Sequence, residues 1–423
     1  MARERIAVIG SGVSGLTTAY LLRTEHEVTL YEADTRLGGH AHTHTVPGAD
    51  GTPVAVDSGF IVHNDRTYPH LLRLFGELGV ATRDTEMSMS ISDARTGIEY
   101  AGGRGVSGFL ARPRQLARRD YLDVLTSVKR FHRVAGRFLA ETDDTDERTL
   151  GEFVSAAGFS TAFTDLYAVP LVSCVWSTGG ADALHYPARY LFRFLDHHGM
   201  LSVTGSPQWR TVVGGSQTYV EAIADRLADI RRGAAVVSVR RAADAVGVTA
   251  AGQVEDVYDR VVIATAADRA LALLADPTPA ERAVLGAFRS STNETVLHQD
   301  PSFLPRAERA RASWNYRVER GDAQTRNPPP VVTYDMNRLQ GIDARTPLYV
   351  TLNATARIDP RTILASMAYR HPVYDLPAIR AQRRRAEITT ARTAYAGAYW
   401  GWGFHEDGAR SGVEAAAAFG VSW

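Results

Sequence analysis

Residues 37–46, LGGHAHTHTV, place His40, His42 and His44 on alternate positions. In an extended chain alternate side chains share a face, so three neutral imidazoles could together ligate zinc or copper. No Cys-x-x-Cys or His-Glu-x-x-His pattern elsewhere adds partner ligands, and the expectation is no metal. Near the C-terminus, His405 and Glu406 are adjacent groups able to move a proton. Arg66, in HNDRTYPH, could hold a carboxylate or a cofactor. Lys129 is the only lysine among 47 basic residues, so any mechanism that needs a lysine has one candidate.

The doublet Gly38-Gly39 suggests another reading of the histidines, through the elements before it. RIAVIGSGVSGLTTAYLL reads as a buried strand, a glycine turn and a helix that opens with Val13 and Ser14. Gly10 permits the tight turn, Gly12 lets the backbone approach a pyrophosphate, and Gly15 lets the helix pack on the strand. The helix N-terminus then faces the anion. EVTLYEAD supplies a second strand ending in Glu32, about 20 residues beyond the first glycine, where a carboxylate accepts from ribose hydroxyls and repels a 2′-phosphate. Arg36, Gly38 and Gly39 follow, so the chain returns to the same phosphates.

A second glycine doublet is unnecessary in a plain NAD dehydrogenase. R-x-G-G followed by Thr43 resembles FAD enzymes of the glutathione-reductase type, in their amine-oxidase branch. PQWRTVVGGSQTYVE, TYDMNRLQ, VDSGFIVHNDRTYPHLLRLFGELGV and GAYWGWGFHEDGARSG extend that similarity over nearly the whole chain. They bring it closest to the bacterial FAD proteins associated with cyclopropane-fatty-acid synthases. The resemblance implies an α/β fold, with a Rossmann-type FAD domain of residues 1–75, 205–290 and 385–423. An interleaved α+β substrate domain, built on a mixed sheet and helices, would span 76–204 and 291–384. It implies non-covalent FAD, with Gly38, Gly39 and the His40 backbone lining pyrophosphate and flavin. Val236 would lie by the adenine, and Gly403, Phe404 and the His405 amide would pass the flavin ring. Residues Asp407 to Gly412 would open the last helix towards the flavin C2 carbonyl. Trp400 and Trp402, interleaved with glycines, would face the cofactor, and Tyr334 and Asn337 would line the substrate.

Departures from the family matter too. Lys129 lies in a helical pattern beside Arg130, Arg133 and Arg137, so the lysine many amine oxidases place over the flavin is vacant. The implied activity is hydride transfer between flavin N5 and a lipophilic chain, fatty-acyl or polyketide-like, by desaturation, isomerisation or reduction. Amine or amino-acid oxidation is one alternative, and a flavoprotein partner of a lipid methyltransferase is another.

Bulk properties bound these readings. A 423-residue chain exceeds one compact core. Zero formal charge gives no bulk attraction to nucleic acid. One cysteine, Cys174, fits a reducing compartment and a cytoplasmic enzyme. No stretch reaches the roughly 20 apolar residues of a spanning helix. The cationic run ARPRQLARRDYL admits peripheral membrane contact. Nothing in the sequence assigns an oligomeric state.

Overall fold

Ile6 and Val8 point to one side of the first strand and Ala7 and Ile9 to the other, and both faces are buried in separate cores. That is the signature of a strand covered on both sides. The computed structural model describes residues 3–201, 206–318 and 329–423. Five parallel strands run Asp229–Arg231, Glu27–Tyr31, Arg5–Ile9, Arg260–Ile263, Thr393–Tyr395 across the sheet. One sheet is thus assembled from N-terminal, middle and C-terminal chain. The first helix, Val13–Leu22, the helix Gln217–Ala224 and the last helix, His405–Ala417, cover one face. The other carries an antiparallel three-stranded sheet of Val236–Arg241, Val246–Ala250 and Asp256–Tyr258.

The last helix starts two residues earlier than the position expected near Asp407. Asp407 reaches back to accept from the Phe404 amide at 3.1 Å, so it sits in the first turn and caps it. This helix lies hard against the first one: a Cβ on Gly412 would come 2.6 Å from the Ser14 carbonyl oxygen. Gly412, expected at the cofactor, is therefore a packing glycine. Its lack of a side chain lets two helices almost 400 residues apart touch.

The second sheet has seven strands. Their order is Ile363–Val373, Arg289–His298, Tyr349–Leu352, Val331–Asp335, Trp314–Val318, Met89–Asp93, Glu99–Gly102. Only Trp314–Val318 and Met89–Asp93 pair in parallel, which makes the sheet mixed. Helices Arg119–Glu141 and Ala188–His197 pack with shorter ones around Phe131, Phe138, Phe153, Phe163 and Phe192. The expected boundary at 204/205 lies outside the described residues. Among those described, no helix is long and apolar enough to cross a membrane.

Candidate functional site

Two glycine turns meet at the end of the parallel sheet. Gly10, at φ +104°, donates to the Tyr31 carbonyl at 2.8 Å and passes so close to Ala264 that a Cβ would lie 2.8 Å from its oxygen. Gly12 then caps the first helix, whose opening turn has no side-chain cap and no acid. Its first amides lack intrahelical acceptors and attract an anion. Nothing lies within 4 Å of where a Gly12 Cβ would be, so the approach is open. A Cβ on Gly39 would come 3.2 Å from the Gly12 Cα, which sets the second turn directly beside the first.

Arg36 holds that second turn. Its guanidinium donates to the carbonyls of Leu37, Gly39 and Ala41 at 3.1, 2.8 and 3.0 Å. Expected as a cofactor contact, it is a clamp on the loop that would make the contact. Glu32 ends the second strand, accepting from the Ser11 amide at 2.9 Å, from the Ser11 hydroxyl, and from the Asp34 amide at 2.9 Å. A carboxylate has about four acceptor positions, so one remains, on Oε1, for a ribose hydroxyl. The Glu32 carbonyl accepts from Ala234 at 2.8 Å, which brings the strand that begins at Val236 to the same edge.

Thr43 departs from expectation. Its hydroxyl donates to Asp57 at 2.6 Å and accepts from the Gln217 amide at 2.9 Å. It ties the hairpin Thr43–Pro47/Pro53–Asp57 to the middle segment, leaving that hydroxyl committed to protein partners. Asp57, which no sequence motif marks, is the hub. Buried, it also takes the Ser216 amide and hydroxyl and the Gln340 amide at 2.9, 2.7 and 2.8 Å. Burial pushes its carboxyl up, and these hydrogen bonds oppose the shift. The signal in the sequence is an acid closing an otherwise apolar strand, PVAVD.

The histidines follow directly on the second turn. The His40 ring packs on Tyr369 and His371, with centroids 5.0 and 5.5 Å apart. His42 and His44 do share a face, their rings 4.1 Å apart. They bond to hydroxyls: His42 Nδ1 to Tyr369 at 2.9 Å, His44 Nε2 to Ser58 at 2.8 Å, and Ser58 to Tyr369 at 2.7 Å. Among the described residues no three His, Cys, Asp or Glu side chains are grouped to hold a metal. His405 stacks on Phe60 at 3.7 Å, with Nε2 3.2 Å from the Tyr219 hydroxyl. Burial, with His40 and His63 nearby, lowers His405 well below the ordinary imidazole value. Burial likewise lowers His40, takes His42 to about 4 and takes His371 to about 3. Near neutral pH this wall carries imidazoles without charge.

The tryptophan-rich loop joins the two halves. Gly403, at φ +94°, passes 2.7 Å (measured to an added Cβ) from the Tyr374 hydroxyl. Phe404 stacks on Phe194 at 4.9 Å, and the Trp402 carbonyl accepts from Trp176 at 2.8 Å. Trp400 turns the other way, 5.4 Å from Phe288 in the core beneath the parallel sheet. The indole N–H of Trp402 is buried without an acceptor among the described residues. Buried donors are normally satisfied, so it fits a bound group that brings an acceptor oxygen.

The remaining expectations are redistributed. The Glu406 carboxylate accepts from the His70 ring at 2.6 Å and from the amides of His70 and Leu71 at 3.1 and 3.0 Å. Helix Pro69–Leu78 has no side-chain cap of its own, because Tyr68 precedes it, so Glu406 caps it from across the molecule. Glu406→Ala should therefore cost about 1–2 kcal/mol of stability while the flavin spectrum stays unchanged; calorimetry beside the spectrum checks both. Arg66 is exposed, with its guanidinium on the His197 carbonyl at 3.3 Å. Asn337 bridges Ile342, Asp343, Thr346 and Leu348 and holds a loop. Tyr334 lies on the seven-stranded sheet against Trp314, and Lys129 is exposed.

Comparison with known proteins agrees with this geometry. Residues 13–298 match the family of flavin containing amine oxidoreductases. A Mycobacterium tuberculosis protein named for flavin-containing monoamine oxidase activity, AofH, is 27% identical over 349 residues, 78% of this chain and 70% of its own. Cyclohexylamine oxidase from Brevibacterium oxydans superposes with TM-score 0.70 at 18% identity, over 99% of both chains. A fatty acid isomerase from P. acnes does so at 0.69 and 16%, also over 99% of both. Family match, twin glycine turns and Glu32 at the strand end agree: the chain belongs to the flavin containing amine oxidoreductases and is an FAD-dependent oxidoreductase.

Proposed function

We propose that the enzyme moves hydride between flavin N5 and a carbon of a lipophilic chain, fatty-acyl or polyketide-like, as in the flavoproteins that accompany cyclopropane-fatty-acid synthases. Bound FAD accepts or returns the hydride. The carrying observation is the uncharged wall beside the glycine turns: His40, His42 and His371 are held neutral, with Tyr369 among them. The one lysine is on the exposed face of a helix instead. Such a lining suits an apolar carbon better than an ammonium group, whose desolvation would go unrepaid. A protein of the same fold that is titled a fatty acid isomerase supports a substrate of this kind.

Within this reading, residues 1–75, 205–290 and 385–423 hold FAD and the remainder shapes the substrate. Desaturation releases a proton along with the hydride. The bonded series His42, Tyr369, Ser58, His44 offers that proton a way to half-buried imidazoles. Tyr369→Phe breaks the series at its centre. It should slow flavin bleaching at least about tenfold and alter its pH profile, while FAD content stays whole.

Amine oxidation is the second reading, favoured by the name of the AofH relative. Mixing the oxygen-free enzyme with acyl lipids and, separately, with amines decides between them. Bleaching by acyl lipid alone is the expected result. Bleaching by amines alone would overturn the proposal, and silence until a lipid methyltransferase is added would replace it with a partner-dependent role.

A further inference from the structure

The chain has no net charge, yet one face of the helical half is basic and greasy at once. Between residues 103 and 122 there are five arginines and one acid, Asp120. Val106 is 72% exposed, and Leu110, Leu116 and Leu122 are exposed with it. This segment is anchored, so the apolar side chains are presented and not merely loose. Gln115 is buried and bonded to Glu99 through both ends of its amide, at 3.1 and 2.9 Å. The Tyr121 hydroxyl bonds the Phe109 carbonyl at 2.6 Å. Arg112, Arg114 and Arg118 line an open groove of about 430 Å³ with Gln115 at its base.

Helix Arg119–Glu141 continues the face. Its buried stripe is Tyr121, Val124, Phe131, Ala135 and Phe138. The opposite, exposed stripe carries Arg119, Lys129, Arg133 and Arg137 with Leu122. Arg104, Arg112 and Arg118 are paired with Glu86, Glu99 and Asp120. Among the described residues Arg114, Arg119, Lys129, Arg133 and Arg137 have no carboxylate partner.

We propose that this face, residues 104–137, docks the enzyme on an anionic lipid bilayer. Phosphate headgroups would meet Arg114, Arg119, Lys129, Arg133 and Arg137, and Val106, Leu110, Leu116 and Leu122 would enter the acyl boundary. Cations interspersed with single apolar side chains along a helix lying flat are the pattern of interfacial binding. Four unpaired cations on one helix stripe, with Arg114 exposed just before that helix, supply charge complementarity to such a surface. An acidic protein partner would need a contiguous apolar centre inside its charged rim, and here the apolar residues are separated.

The test is co-sedimentation of the FAD-bound full chain with phosphatidylcholine vesicles, with and without phosphatidylglycerol. Docking needs no turnover, so it stands apart from the proposed chemistry. Affinity for the anionic vesicles should be at least about tenfold higher, and should fall as salt rises. Arg114→Glu with Arg119→Glu and Arg133→Glu should remove that gain. Val106→Asp with Leu110→Asp should weaken binding to the same vesicles, and the flavin spectrum reports that both variants remain folded. Equal binding to both vesicles, no binding to either, full retention by either variant, or displacement by millimolar inorganic phosphate would overturn the proposal.

Discussion

Gly38→Val should give a folded protein that comes off the column colourless. Gly38 sits at φ +106°, where an L side chain is strained whatever the space, and a Cβ there would be 2.5 Å from the Ala41 carbonyl oxygen. The turn must open, and with it goes the Gly38 amide, 3.1 Å from the Ser11 carbonyl and placed against Gly12 through Gly39. The first helix would keep its own anion site, so binding weakens through loss of the second half of the cradle, by about a hundredfold or more. Arg36→Lys is the gentler companion. An ammonium cannot span three carbonyls as the planar fork does, so FAD affinity should fall less while the fold stays whole. Fluorescence titration of the apoprotein with FAD gives both numbers. A yellow Gly38→Val protein of undiminished affinity would show that the second turn does not hold the cofactor.

Local features were legible in the sequence where a role depends on neighbours in the chain. Gly10, Gly12, Gly15 and Glu32 lie within one strand–turn–helix–strand unit, where close backbone contacts dictate Gly10 and Gly15 and the turn itself brings Glu32 to Ser11. Misreadings collect where the partner is remote. Glu406 reads as an acid or base beside a histidine, but its partner Leu71 is 335 residues away. Thr43 reads as the end of a cofactor motif until Gln217 and Asp57 close on it. Gly412 reads as a helix opening onto a ligand, yet the first helix fills the space in front of it. Asp57 was missed because an acid in a hairpin is ordinarily solvated. Burial turned it into the joint between the hairpin, the middle glycine loop and Gln340.

The same burial that neutralises the histidine wall should make the enzyme sensitive to acid. His63, His198 and His298 are almost wholly buried, and desolvation takes each from 6.5 to about 4. A folded value below the unfolded one means the native state favours the neutral ring. Its stabilisation is complete above pH 6.5 and is lost as pH falls towards 4. Each imidazole accounts for on the order of 3 kcal/mol, and three together rival the roughly 5–15 kcal/mol that hold a protein folded. Asp407 works the other way: burial lifts its carboxyl to about 6, so its protonation adds stability over the same descent, on the order of 3 kcal/mol. The histidines outweigh it. Circular dichroism and flavin release should therefore show cooperative unfolding between about pH 6 and 4. His63 is the informative substitution, because both its nitrogens are buried without partners among Phe60, Tyr68 and Phe75. His63→Phe removes one proton acceptor of the unfolded chain and should move the midpoint to lower pH. A stability profile flat from pH 6.5 to 4.5, or a midpoint unmoved by His63→Phe, would mean these rings are charged or solvated in the native state.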